Sequence, residues 1–194
     1  SNRGAQAVFL LDGEELVGAK QNRILNLTLL VPAKTTLNIP VSCVEQGRWS
    51  HRTEAFASSE RAFFSKGRAR KAERVSASLR ESGTRHADQG EVWGDIDNMM
   101  YRLDVDSETH AIADAFEKFS GSVDEYVAAF NTSETQVGAC FVINGRISGL
   151  ELFDASDTCG KLMPKLIRSY ALDAIEEKPV TAANTTANAT LSTT

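Results

Sequence analysis

The chain has few of the residues on which disulfide-rich domains and zinc proteins depend. Its three cysteines, Cys43, Cys140 and Cys159, are odd in number, and no two of them form a C-x-x-C pair. The sequence therefore argues against a disulfide framework or a structural zinc site, and it indicates a reducing, cytoplasmic location. We predict no metal site from it, and the sequence identifies no cofactor.

Other absences narrow the class of protein further. No apolar run approaches the roughly 20 residues of a membrane helix, so we expect no membrane association. The net charge of -5 disfavours nonspecific binding of nucleic acid by the whole surface. Neither G-x-x-x-x-G-K-[ST] nor G-x-G-x-x-G occurs, so the common phosphate loops are excluded on motif. The 194 residues, of which 42% are hydrophobic, are ordinary for one globular domain.

The densest mixture of apolar runs and polar groups lies between residues 7 and 49. Apolar runs at 7–11, 24–31 and 37–45 predict three strands, and residues 32–36 predict a hairpin loop between the last two. The first strand would be an exposed edge, which predicts a homo-oligomer formed through that edge.

The alternation of side chains sets the expected register of the two longer strands. Placing apolar faces together puts Leu25 opposite Cys43 and Arg23 opposite Glu45. A slip of two residues would keep the faces but move Arg23 beside Cys43. Two interpretations of the first register remain open. Either an Arg23–Glu45 ion pair only closes a buried face, or the same end of the sheet forms a polar cleft.

The cleft interpretation supplies the candidate site. Its catalytic candidates, as general acid/base or metal ligand, are Glu14, Glu15 and Glu45. Its ligand-binding candidates are Lys20, Gln21, Asn22, Arg23, Gln46, Arg48 and Trp49. Trp49 would either anchor the loop at 47–59 by packing or stack on a base or sugar. Cys43 would be an inert buried thiol or, as the weaker alternative, a nucleophile.

The middle of the chain separates its charges by sign. Residues 61–85 contain eight Arg or Lys against two acids, and residues 86–130 contain eleven acids against two bases. This pattern predicts two helical faces of opposite sign that are solvated or lie side by side. Nucleic-acid binding by the basic stretch is the sharper alternative, but that stretch lacks interleaved aromatic residues.

Helix signals follow in the acidic part. Asp88 with Glu91 forms a capping box before an apolar stripe, Ser107 opens a short helix, and Ser122 with Glu125 predicts another cap. The stripes of Met and aromatic residues in these helices predict core packing rather than a cofactor site.

The last third predicts a hairpin followed by a long helix. Asn144-Gly145 between two apolar runs is a strong hairpin signal, and both strands are apolar enough to expect helices over both faces. A helix from Asp157 to about residue 176 would be kinked at Pro164 or would begin there. Three of its cations form a solvated face or, as the alternative, could reach an anion: Lys161, Lys165 and Arg168.

These signals together predict the α+β class. The expected order is an antiparallel sheet or sandwich-like N-terminal part, a helical middle, and a C-terminal β-hairpin followed by a helix. We predict a single domain over residues 1–177. Residues 178–194, rich in Ser, Thr, Ala and Asn, would be a low-complexity tail.

Several segments resemble one bacterial family, the ARG and rhodanese-phosphatase-superfamily-associated protein domain, first type. They are LLDGEELVGAKQNRILN at 10–26, IPVSCVEQGRW at 39–49, DQGEVW at 88–93 and KLMPKLIRSYALDA at 161–174. The resemblance covers about residues 2–177 and adds Gln89 and Trp93 as outside candidates for the site. It implies no established reaction, association with ADP-ribosyl-glycohydrolase and rhodanese or phosphatase domains, and further family strands upstream of residue 1.

Two functional hypotheses follow. The first is an enzyme or binder that acts on a nucleotide, an ADP-ribose-like compound or another phosphate-bearing small molecule. The second is a noncatalytic protein-interaction or regulatory module. An enzyme predicts carboxylates and arginines around a concave pocket, with one carboxylate left without a permanent cationic partner. A module predicts a flat surface on which every charge is paired.

Overall fold

The computed structural model describes residues 1–50, 53–178 and 191–193, the last three by their backbone only. Its strands are β1 (Val8–Leu10), β2 (Glu14–Val17), β3 (Arg23–Leu25), β4 (Leu29–Val31), β5 (Val41–Cys43), β6 (Ala57–Ala62), β7 (Gly138–Ile143), β8 (Arg146–Leu152) and β9 (Leu191–Thr193). Its helices are α1 (Ser65–Ser82), α2 (Gln89–Arg102), α3 (Ile112–Lys118), α4 (Ser120–Ala129) and α5 (Ser156–Glu176). Antiparallel N-terminal sheets, a helical middle and a hairpin before α5 confirm the predicted α+β class.

The N-terminal strands form two sheets rather than one. Strands β5-β3-β2-β6 make a four-stranded antiparallel sheet, whereas β1 pairs with β4 alone. The single strand expected at 24–31 is therefore wrong, because the chain leaves the first sheet after Leu25. Three hydrogen bonds hold this break: the carbonyls of Leu25 and Asn26 both accept from Lys71 Nζ, at 3.0 Å each, and Asn26 Oδ1 accepts from Ser42 Oγ at 2.8 Å.

The register of β3 against β5 is the second of the two registers that the sequence allows. Arg23 lies opposite Cys43 and Leu25 opposite Val41, which is the two-residue slip. The expected Arg23–Glu45 opposition is thus wrong. The reason is that β4 turns away to join β1, so residues 32–36 do not form a two-strand hairpin loop. Gln89 also fixes β5, since its side chain accepts from the Cys43 N–H at 2.8 Å and donates to the Cys43 carbonyl at 2.9 Å.

The basic and acidic helices lie side by side, as one of the two expected arrangements requires. Asp95 of α2 accepts from Arg70 at 2.9 Å and from Arg74 at 2.8 Å, both on α1. Asp88 caps α2 by accepting from the Glu91 N–H at 3.0 Å, which confirms that cap. The Ser122 cap is wrong, because α4 begins at Ser120 and follows α3 after a single residue, leaving no separate start to cap.

The C-terminal hairpin closes over α5 on one face only. Its turn, Asn144-Gly145, has positive φ at both residues (50° and 76°), as the sequence predicts. On the inner face the Phe141 ring stacks on Tyr170, with centroids 3.8 Å apart. Gly149 is required beside this stack, because a Cβ there would collide with the Tyr170 hydroxyl.

The outer face of the hairpin departs from the expected cover. Ile147, Leu150 and Leu152 of β8 are exposed. The expectation that helices cover both faces of the hairpin is therefore wrong for the described residues. Helix α5 is the element that packs on the hairpin, and one helix can cover one side only. Pro164 lies inside α5, eight positions after its first residue Ser156, so the expectation that it marks the first turn is also wrong.

The ends of the chain leave three expectations untested. Residues 191–193 pair with β7, whereas 179–190 of the expected tail, and residue 194, lie outside the described residues. The single domain over 1–177 stays a prediction. In the described part β1 has one unpaired edge, so the edge-mediated oligomer stays a prediction too.

Within the described ranges no helix combines the length and apolar character needed to cross a bilayer.

Candidate functional site

The polar ends of the two neighbouring strand segments meet, as the sequence analysis expected. Gln21 Nε2 donates to the Glu45 carbonyl at 2.9 Å, and the Asn22 N–H donates to Glu45 Oε2 at 3.1 Å. Arg48 Nη2 donates to Asn22 Oδ1 at 3.2 Å. We call this set of four buried residues, Gln21, Asn22, Glu45 and Arg48, the strand-end cluster.

Arg48 holds the loops around this cluster. Its Nη2 lies 2.7 Å from Glu45 Oε2, and its Nη1 donates to the carbonyls of Ala19 at 3.0 Å and Ser50 at 2.7 Å. One guanidinium therefore ties the turn after β2 to the loop after β5. Because Arg48 is only 7% exposed, its charge is used inside the protein rather than offered to a ligand.

The other two candidate carboxylates also have cationic partners. Glu15 Oε2 accepts from Arg61 Nε at 2.7 Å and from Ser59 Oγ at 2.9 Å. Glu14 Oε1 accepts from Lys165 Nζ and from Ser58 Oγ, both at 2.5 Å. All three candidate catalytic carboxylates thus lie in buried ion pairs.

Sequence reasoning missed most of these partners. Arg61 and Ser59 lie on β6 and Lys165 lies on α5, far along the chain from the carboxylates that they contact. The sequence left Lys165 either to face solvent or to reach an anion, and in the structure the anion that it reaches is Glu14. No local pattern carries this pairing, since it depends on how α5 packs against β6 and β2.

The other candidates differ from the cluster in their exposure to solvent. Lys20, Gln46 and Trp49 are exposed and Arg23 is half-buried; we call these four residues the rim. Trp49 is 69% exposed, so the expectation that it anchors the loop by packing is wrong. Arg48, its neighbour in the chain, points inward and anchors the loop instead. His51 and Arg52, which follow in the same loop, lie outside the described residues.

Cys43 fits the inert interpretation of its thiol. It is buried, and its Sγ donates to Gln21 Oε1 at 2.7 Å. Burial raises the pKa of the thiol, and the nearby positive charge of Arg23 opposes that rise without overcoming it. A thiol held in this way carries little thiolate at neutral pH and is a poor nucleophile.

A second buried charged centre lies under the turn between β1 and β2, and the sequence analysis missed it. Lys71 is fully buried, and its Nζ contacts the Asp12 carboxylate as well as the two carbonyls that end β3. Burial lowers the pKa of Lys71, and Asp12 opposes this shift. Arg68, one turn earlier, donates to Glu151 at 2.7 Å, and Glu151 also accepts from Tyr170 Oη at 3.1 Å.

The expectation that the basic stretch is entirely a solvated or helix-facing surface is therefore wrong for Arg68 and Lys71. Their spacing carried a usable signal, since residues 68, 71 and 75 share one face of a helix and Val75 is apolar and buried. Long basic side chains on the apolar side of a helix can cross buried surface to reach a carboxylate.

The two outside candidates have roles in packing. Gln89 binds the backbone of Cys43, as described above, and Trp93 is half-buried against the core beneath the four-stranded sheet. Among the described residues no group of three or more His, Cys, Asp or Glu side chains could hold a metal ion. A cavity of about 410 Å³ borders the candidate carboxylates through Ser59 and Arg61.

Comparison with protein families gives one match over the whole chain. Residues 1–194 match the model of the ARG and Rhodanese-Phosphatase-superfamily-associated Protein domain, and the chain belongs to this family. The resemblance inferred from the four motifs is thereby confirmed. Comparisons with curated proteins and with solved structures give no match. The family carries no established reaction, so function has to be argued from the site.

Proposed function

We propose that this member of the family is a noncatalytic binding module for a nucleotide, an ADP-ribose-like compound or a related phosphate-bearing small molecule. The ligand would sit on the rim formed by Lys20, Arg23, Gln46 and Trp49. The observation that carries the proposal is the exposed indole of Trp49, 69% accessible, in a loop that the buried guanidinium of Arg48 holds in place.

The state of the carboxylates favours binding over catalysis. General acid or base work needs a carboxylate that can exchange a proton with a substrate within hydrogen-bond reach. Glu15 and Glu45 are each 2% exposed, and each lies 2.7 Å from an arginine nitrogen. Glu14 is tied to Lys165 in the same way. Groups paired and covered like this stabilise the fold and are poorly placed to reach a substrate.

The exposed groups suit a ligand with a base and a phosphate. An indole face stacks on a base at a gain of about 1 to 3 kcal/mol, and a nearby ammonium attracts a phosphate. Arg48 Nη1 binds the carbonyls of both Ala19 and Ser50, which brings the backbone of Lys20 and Trp49, their chain neighbours, close together. Tryptophan is usually buried in large part, so the exposure of this one supports the proposed binding role.

Fluorescence titration tests the proposal directly, because the chain has only two tryptophans. In a Trp93→Phe background Trp49 is the only indole, and ADP-ribose or AMP should quench it with a saturable curve. Trp49→Leu should weaken binding about 5- to 150-fold if one stacked base is lost, as measured by calorimetry or thermal shift. Lys20→Ala should weaken it less, and the Trp93→Phe protein should bind like the wild type.

Three results would contradict the proposal. Unchanged fluorescence and an unchanged melting temperature with ADP-ribose, AMP and inorganic phosphate would remove the small-molecule ligand. Turnover of ADP-ribose that is lost in Glu15→Gln, with the fold intact by circular dichroism, would instead establish an enzyme. Capture of a protein that requires Trp49, in the absence of nucleotide binding, would favour the protein-interaction alternative.

A further inference from the structure

We infer that the cavity between β6, α3, α4 and α5 is a second binding site, which takes a carboxylate carried on an apolar body. Its volume is about 410 Å³, within the range of small-molecule pockets. The groups that would contact the ligand are Ser59, Arg61, Phe116, Ser120, Val123 and Arg168. This site lies apart from the rim, and it does not depend on the function proposed for the rim.

Arg61 is the first of two guanidinium groups in the cavity. Its Nε is committed to Glu15 at 2.7 Å, and its Cζ lies 5.9 Å from the centre of the Phe116 ring. Within the described part of the chain neither Nη atom of Arg61 makes a hydrogen bond. The guanidinium is therefore fixed on one side and free on the other, so a ligand would lose little side-chain entropy in binding it.

Arg168 supplies the second guanidinium from α5. Its Nη1 lies 2.6 Å from Asp124 Oδ1, while the Asp124 side chain is 61% exposed. An ion pair with such an exposed partner contributes little to stability, because water screens it. A ligand carboxylate can therefore share Arg168 with Asp124 or displace it at small cost. Carboxylates match the planar guanidinium fork with two parallel hydrogen bonds.

The apolar floor of the cavity determines the rest of the ligand. Phe116 and Val123 are almost fully buried and belong to the core beneath the sheet, so the floor is rigid. Ser59 and Ser120 also line the cavity, and the Ser59 hydroxyl donates to Glu15 at 2.9 Å. An aromatic or aliphatic body would rest on this floor while its carboxylate faces the two arginines.

The charge of the rest of the lining limits the ligand to one carboxylate. Glu60, Glu117 and Asp124 also line the cavity, three carboxylates against two guanidinium groups. A polyphosphate or a nucleic-acid backbone would meet net negative charge here, whereas a monoanion can bind between the arginines. The rim has a different charge balance, because its two charged members, Lys20 and Arg23, are both cations.

Titration with benzoate, followed by two-dimensional amide NMR of the full chain, tests the inference. We expect saturable shifts at Ser59, Phe116 and Ser120, no such shifts with the neutral analogue benzamide, and smaller shifts with inorganic phosphate. Arg168→Gln should weaken benzoate binding at least 10-fold. The matched control is Arg102→Gln, which removes an arginine of similar kind on α2 that pairs with Glu176 outside the cavity.

A second variant keeps the test independent of charge. Ser120→Phe adds bulk at an exposed lining position and should abolish benzoate binding while the melting temperature stays close to that of the wild type. Trp49→Leu should leave benzoate binding unchanged, so failure at the rim and failure at the cavity can be told apart. Absence of shifts at the cavity residues, or equal binding by wild type, Arg168→Gln and Ser120→Phe, would overturn the inference.

Discussion

The buried strand-end cluster and the exposed rim come from the same short stretches of chain, yet their side chains differ in what they can do. In the cluster, Arg48 and Glu45 meet at 2.7 Å and are almost fully covered. In the rim, Trp49 and Gln46 alternate with those two residues along the chain and face solvent. Residues that are neighbours in one segment thus fall into two sets, one buried and paired, the other exposed to solvent.

This difference teaches that a high density of polar residues does not by itself indicate chemistry. A buried charge is costly unless it is paired, so sequences that bury carboxylates carry matching cations and amides. The concentration of Glu, Gln, Asn and Arg near residues 14–48 meets that need. The groups left for a ligand are those that the pairing does not consume.

The largest expected effect concerns a lysine on the covered side of this division. Lys71→Ala would leave Asp12 and the carbonyls of Leu25 and Asn26 without their shared donor. We expect a loss of about 3 to 5 kcal/mol in the free energy of unfolding, measured with urea, because the largely covered Asp12 loses its nearest cation and two buried carbonyls lose their donor. Lys161→Ala on the surface of α5 is the control, and an equally large loss there would refute the distinction.

The second prediction uses a buried carboxylate that differs from those in the cluster. Asp173 is fully buried beside Ser65 and Lys66, with Glu176 nearby, and burial raises its pKa to about 6 although hydrogen bonds from Ser65 and Lys66 oppose the rise. Because the folded pKa exceeds the unfolded value, the stability that this group contributes is complete below pH 4. That contribution is lost as the pH rises through about 6.

Asp173→Asn should remove this dependence. The free energy of unfolding of the wild type, relative to the variant, should fall by about 3 kcal/mol between pH 4 and pH 7. Chemical denaturation at four pH values measures it. Asp106→Asn, at an exposed position, should run parallel to the wild type, and a wild-type curve that also runs parallel to Asp173→Asn would contradict the prediction.

A third prediction compares lysines on the two sides of the division. Lys165→Met leaves Glu14 buried without its ion-pair partner, and we expect a loss of about 2 kcal/mol, less than for Lys71 because Lys165 keeps some contact with solvent. Lys20→Met at the rim should change stability by about 0.5 kcal/mol or less. Thermal unfolding of both variants decides it, and equal losses would remove the distinction between covered, paired charges and the exposed charges of the rim.

The smallest expected effect is at the rim itself. Trp49→Ser should alter the free energy of unfolding by no more than about 0.5 kcal/mol, since the side chain is exposed and Arg48 holds the loop. Urea unfolding of this variant beside Arg48→Ala provides the contrast. A large loss for Trp49→Ser would mean that the indole packs in solution and would remove the basis for a rim ligand.

Local signals in the sequence predicted much of this fold. Asp88 with Glu91 located the start of α2, and Asn144-Gly145 located the turn between β7 and β8, because caps and tight turns depend on neighbouring residues. The meeting of the segments near residues 21 and 45 also followed from strand pairing. The strand register did not, since the departure of β4 toward β1 depends on Lys71, a residue on a distant helix.

By itself, the sequence determined the α+β class, most of the helices, the C-terminal hairpin and the family, because these depend on short-range periodicity, capping residues and motifs. Only the tertiary structure decided which charges are covered. Glu14, Glu15 and Asp12 meet cations supplied by α5, β6 and α1, and such contacts depend on the packing of elements far apart in the chain. Burial and pairing are properties of that packing, and they leave Trp49 as the accessible group.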